Sequence, residues 1–400
     1  MKKRFFALFL ILALALTSLT ACGSKDKDKS KNKAKSYKDI YEIIEEVANM
    51  KKGTATISID ADLGSAGFAK LTFTVKNDGK NNGTISVGVD GDMNGTKLST
   101  ELEDAMIVKD NTAYFNVGGA MKAALSVPGA EMPEEVKKQI DDLKLGFFAF
   151  PLPDVDYSKF TSNFEDVTDI FISFLKNALK DAKVSGEDNE FTIAFKDAAA
   201  YKGVVSALAD FVEKDALKLM NDKSNAEAIK TVDLNAYAKK VIDFYYDDVV
   251  ELAKVFDVDK AMIDSLVDEV KKMDLNQYRD QAAEMVTADT ISEADVKEMA
   301  DEIRKANDEI TDEAIKDFTT KATVKATDSG FKFSASVSGK NGKEEDCKIT
   351  VSLKVSEDVD KIVAPSDVTR LRDFSAIATS IKSYIDKSQS IRDRDYRDFD

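Results

Sequence analysis

Ala55, Ile57, Ile59 and Ala61 alternate with Thr54, Thr56, Ser58 and Asp60. Successive side chains of an extended strand point to opposite sides, so this period gives one apolar and one polar face. The same period recurs in Ala69, Leu71, Phe73 and Val75, in Ile85, Val87 and Val89, and in Ala113, Phe115 and Val117. Asn77-Asp78-Gly79, Asn94-Gly95 and Asp110-Asn111 lie between the runs, and such residues favour tight turns. About five antiparallel strands joined by hairpins are expected over residues 54–117. The period returns late in the chain, in Ala322, Val324 and Ala326, then in Phe331, Phe333, Ala335 and Val337. It ends with Cys347, Ile349, Val351, Leu353 and Val355. One-sided strands must pack their apolar face against another layer.

That layer is readable as helices. In Tyr37–Met50, Ile40, Ile43, Ile44 and Val47 fall at i, i+3, i+4 and i+7, the spacing of one helical face. Gly118–Leu125, Pro133–Leu145 and Phe164–Lys183 also read as helices, with Phe147–Pro153 as an aromatic, proline-broken loop. Glu190–Lys196 is a strand, and residues 198–318 are helical and acidic. Val241, Tyr245, Val249, Leu252 and Phe256 form an apolar stripe there, so this segment is expected to fold as a partly independent unit. Asp233-Leu234-Asn235-Ala236-Tyr237 and Asp274-Leu275-Asn276-Gln277-Tyr278 resemble each other as two helix starts. Residues 366–400 read as a helix over Phe374–Ile385 and a frayed Arg/Asp tail.

The N-terminus has a different logic. Lys2, Lys3 and Arg4 precede the uncharged apolar run Phe5–Leu16, which suits a signal peptide better than a membrane span. Leu19-Thr20-Ala21-Cys22-Gly23 follows and resembles the bacterial lipobox. The resemblance implies removal of residues 1–21 and a diacylglycerol on the Cys22 thiol. Anchoring by two acyl chains is stable where one is marginal. Residues 22–36, rich in Lys and Ser, can bury nothing and read as a tether. The expected location is the outer face of the bacterial cytoplasmic membrane.

The chain has no histidine, which excludes Ser-His-Asp and Cys-His catalysis and the usual zinc sites. Its formal charge of -16 opposes nucleic-acid binding. Cys347 lies in phase with Ile349 and Val351, as a small buried strand residue does. Asp90–Glu101 fits the calcium-loop pattern D-x-[DN]-x-[DN]-G-x5-E. Lys97 at its eighth position and strand-like flanks favour a hairpin about Asn94-Gly95 instead. No catalytic activity, metal or cofactor is expected; an enzyme here would have to work through carboxylates.

One helix, a run of one-sided strands, further helices, more strands and a proline-marked exit are similar to the LolA/LppX-type half-barrel lipoproteins. The resemblance implies an α+β fold: a curved antiparallel sheet packed with helices, with a body of residues 37–197 and 319–365. Segment 198–318 is longer than that family's lid helices and reads as a large acidic helical insertion. The resemblance further implies an apolar ligand held between sheet and helices, with Ile57, Ile59, Leu71, Phe73, Ile85, Val87, Phe115, Phe333 and Val351 as its lining. A filled core under helices accounts for the same faces. A second reading is a surface lipoprotein that meets an envelope protein through the acidic helical segment.

Overall fold

A computed structural model describes residues 36–126 apart from 49, 51 and 81, then 145–154, 164–216 apart from 188, 229–281, 292–340, 345–375, 379 and 382. The expected signal peptide, Cys22, the expected tether up to residue 35, most of Pro133–Leu145 and most of the C-terminal tail lie outside these residues.

The alternating runs form strands β1 (Gly53–Asp62), β2 (Gly67–Asn77), β3 (Gly83–Met93), β4 (Thr96–Lys109) and β5 (Thr112–Asn116). Each pairs antiparallel with the next. Asn94 and Gly95 take φ of 52° and 82° between β3 and β4. Two consecutive positive φ angles match the twist of a two-residue hairpin. Asp90 pairs with Ser99 and Glu101 with Gly88, so the calcium-like residues are spread along a ladder. Among the described residues no group of three or more His, Cys, Asp or Glu is placed to hold a metal ion.

The late strands β9 (Thr319–Thr327), β10 (Gly330–Lys340) and β11 (Asp346–Ser356) form a second meander. β11 pairs antiparallel with β1, which joins the two blocks. With β6 (Phe147–Pro151), β7 (Lys183–Glu187), β8 (Glu190–Phe195) and β12 (Val368–Thr369) the result is one open sheet in the order β12-β6-β5-β4-β3-β2-β1-β11-β10-β9-β8-β7. Only β12 and β6 run parallel. The sheet is curved. The β3–β4 register shifts between Ile85 and Val87, a bulge of the kind that bends and twists a strand pair.

Three helices fill one side. These are α1 (Ile40–Ala48), α3 (Phe164–Ala178) and α4 (Ala198–Phe211); α2 (Val117–Leu125) lies between β5 and β6 in the chain. The Asp39 carboxylate accepts from the Tyr41 and Glu42 amides and starts α1. Asp197 caps α4 in the same way. Ile40, Ile43, Ile44 and Val47 are buried with Phe174, Leu175, Ala207 and Leu208 against Ala55, Phe191, Val324, Phe331, Phe333 and Leu353.

β8 and β9 are sheet neighbours, although residues 196–318 lie between them. That segment holds α4, α5 (Leu234–Val255), α6 (Lys260–Lys272), α7 (Glu293–Asp308) and α8 (Asp312–Ile315). Part of this segment shares the sheet's core: Ala207 and Leu208 belong to it and Ile303 packs against it. The two similar pentapeptides face each other. Asn276 Oδ1 accepts from the Leu234 amide at 2.9 Å, and Asn235 Oδ1 accepts from the Leu275 amide at 2.7 Å. Asp233 caps α5, and hydrogen bonds, the Ala236 amide foremost, hold its carboxyl below the usual range.

Three further expectations change. Phe147–Pro151 is a strand, not a loop: its aromatic residues suit a sheet, and Pro151 falls on its last position. The helix after Phe164 ends at Ala178, and Lys183 starts the edge strand β7, whose residues are all exposed. The sheet continues past residue 365 with β12, followed by a 3-10 turn over Leu371–Phe374; of the helix expected after it, the described residues Ser375, Thr379 and Lys382 are helical.

Candidate functional site

Residues directly opposite across a ladder share a face. Ile57 lies opposite Phe73 on one side and Leu353 on the other; Phe73 lies opposite Val87, and Leu353 opposite Phe333. The next row runs Val89, Leu71, Ile59, Val351, Ala335. Ile85, Met106, Phe115 and Phe148 continue the same face towards β6. All nine residues expected at the ligand site are therefore on one face, with Phe115 at its far end.

That face is divided. Over the Ala55 end of β1 and over β8–β11 it is packed under α1, α3 and α4, with Phe333 in that core; Val351 is buried as well. Those two are core residues and do not line an accessible site. The core cluster contains no residue of β2–β5. Leu71, Phe73, Ile85 and Val87 are half-buried, as are Ile57 and Ile59 at the border. Phe115 is 43% exposed and Val75 38%. An open apolar strip of this extent on a folded chain marks a binding surface more often than a solvent face.

The far end of the strip is bounded by α5. The Tyr245 ring stacks on Phe148 at 6.0 Å and lies 6.5 Å from Phe150. Its hydroxyl donates to the Ala149 carbonyl at 2.5 Å, and burial holds that hydroxyl above its ordinary pKa. The Tyr237 hydroxyl and Lys240 Nζ hold the end of β6 through the carbonyls of Pro151 and Leu152. One turn beyond Tyr245, Asp248 is wholly buried. Its Oδ2 accepts from Arg370 Nε at 2.9 Å and from the Leu371 amide at 3.2 Å, and Arg372 Nε lies 3.6 Å from Oδ1. Arg370 also sits over the Phe244 ring at 5.4 Å. This knot ties α5 to the segment after β12. Sequence reasoning missed it, although a carboxylate between Tyr245 and Leu252 on an apolar stripe was a readable signal.

Helix α6 shows a different surface. Met262, Leu266, Val270 and Met273 recur every three or four residues and are all exposed, Met262 by 60%. Cys347 is half-buried rather than sealed in a core. No described helix is long and apolar enough to cross a membrane. Compared with protein-family models, curated proteins and solved structures, the chain matches none.

Proposed function

We propose that this chain is a non-catalytic bacterial lipoprotein, anchored through lipid on Cys22, that binds a lipid or other apolar ligand on the open part of its sheet. One observation carries the ligand reading: a single apolar face is packed under helices over β8–β11 and left half-exposed over β2–β5. The Leu71, Phe73, Ile85 and Val87 strip takes an acyl chain in this reading, and Tyr245 with Phe148 closes its end. The curved sheet acts as a half-barrel, and the acidic segment 198–318 supplies its end wall. Such a ligand should survive purification and be absent from a Phe73→Glu variant.

The anchor has its own test. The protein expressed in a bacterium fed labelled palmitate should carry label, and Cys22→Ala should abolish it. A wild-type chain without label would remove the anchor from this account. A second reading rests on the exposed Met262–Met273 stripe of α6, which fits contact with an envelope protein. It is the reading that ligand-free protein would favour.

A further inference from the structure

The polar face of the sheet carries a charge pattern of its own. Strands β9, β10 and β11 hold six lysines, Lys321, Lys325, Lys332, Lys340, Lys348 and Lys354, and one acidic residue, Asp346. All six lysines are exposed. Lys354 lies opposite Lys332, and Lys332 opposite Lys325, so three like charges stand side by side across adjacent strands. Like charges in that position destabilise a ladder. The row runs on into Glu190, which bonds Lys325 at 2.7 Å. The rows beside it are hydroxyls: Ser352, Ser334, Thr323 and Thr192 lie opposite one another in turn. Asp346 lies opposite Lys340, and Asp62 of β1 opposite Lys348, so the excess of positive charge is centred on Lys325, Lys332 and Lys354, in a chain of formal charge -16.

The tether joins the folded body at the β7–β8 end of these strands, where α1 then packs on the opposite, apolar side. The Tyr37 amide donates to Asn189 Oδ1 in the β7–β8 turn, and the Asn189 carbonyl accepts from the Ala326 amide of β9. Thirteen residues lie between Cys22 and Ser36, a span of fourteen Cα–Cα steps. Fully extended, they reach no further than about 50 Å. A lipid on Cys22 therefore keeps this corner of the sheet within about 50 Å of the bilayer.

We propose that the lysine face of β9–β11 docks on the anionic headgroups of the membrane that holds the anchor. The inference rests on the Cys22 anchor for its geometry and on charge complementarity for its occupant. Each lysine near an anionic surface adds an attraction of comparable size, and the sum falls with salt. The opposite, apolar face then points away from the bilayer, where its open strip is free to meet a ligand.

The test uses residues 22–400 carrying Cys22→Ser, so that neither the lipid nor the apolar run Phe5–Leu16 plays a part. It is cosedimented with vesicles of phosphatidylcholine alone, or of phosphatidylcholine with phosphatidylglycerol. Binding is expected only with phosphatidylglycerol and should weaken as salt rises. A Lys325→Gln/Lys332→Gln/Lys354→Gln variant keeps the lysine tether, so its deficit reports the face; a roughly hundredfold loss is expected. Its melting temperature should change little, since the exchange relieves a row of like charges and gives up only the exposed Lys325–Glu190 pair. Equal binding by wild type and variant, or binding indifferent to phosphatidylglycerol, would overturn the proposal. A missing palmitate label with normal vesicle binding would instead sink the anchor and leave the face standing.

Discussion

Arg370→Ala should destabilise the protein by about 3 kcal/mol, read as a lowered melting temperature and urea midpoint. The cause is the carboxylate left behind. Asp248 has no exposure, and Arg370 supplies its shortest charged contact. Without it, Oδ2 keeps only the Leu371 amide, and Arg372 remains at 3.6 Å from Oδ1. A buried ion stripped of its partner typically costs ~3–5 kcal/mol, and partial exposure of Arg370 places this case at the low end. The double variant Asp248→Leu/Arg370→Met should recover most of the loss, because removing both charges removes the desolvation cost as well. A loss below about 1 kcal/mol for Arg370→Ala would show that water reaches Asp248 and that the knot does not hold α5 in place.

Replacing Val204–Asp317 with a short Gly/Ser linker should give a product that aggregates and shows no cooperative melt. The segment contributes Val205, Ala207 and Leu208 as buried residues, and Ile303 packs on the same core. Its loss uncovers Phe191, Val324, Phe331 and Phe333, all buried in the intact protein. Each fully buried large side chain is worth ~1.5–3 kcal/mol, and net stabilities are only about 5–15 kcal/mol. A soluble, β-rich product with a sharp transition would contradict the shared core and restore the independent unit expected from the apolar stripe of α5.

The strands were legible because alternation is local: Ile57 and Phe73 announce their face within a few neighbours. β6 was not, because Phe147-Phe148-Ala149-Phe150 has no period of two and Pro151 reads as a break. β7 has no apolar period either, as expected of an exposed edge. The division of the apolar face depends on β11 pairing with β1, a contact across roughly three-quarters of the chain. No local pattern encodes it, so Phe333 and Val351 could not be told from Phe73 and Leu71 in the sequence. The likeness of Asp233–Tyr237 to Asp274–Tyr278 was visible, but that Asn235 and Asn276 bond each other's helix starts required the fold. Asp248 shows the reverse case: the misfit was printed in the stripe, and only its partners, more than 120 residues away, were hidden.

The ligand claim is the centre of this account, and mass spectrometry of organic extracts tests it most directly. Residues 22–400 bearing Cys22→Ser, purified without detergent, should yield an apolar compound at close to one molecule per chain. Phe73→Glu places a charge in the middle of the open strip and should empty it. That variant should still melt cooperatively, since Phe73 is only half-buried. A bare extract from the wild-type strip, or the same compound in equal amount from Phe73→Glu, would contradict the account.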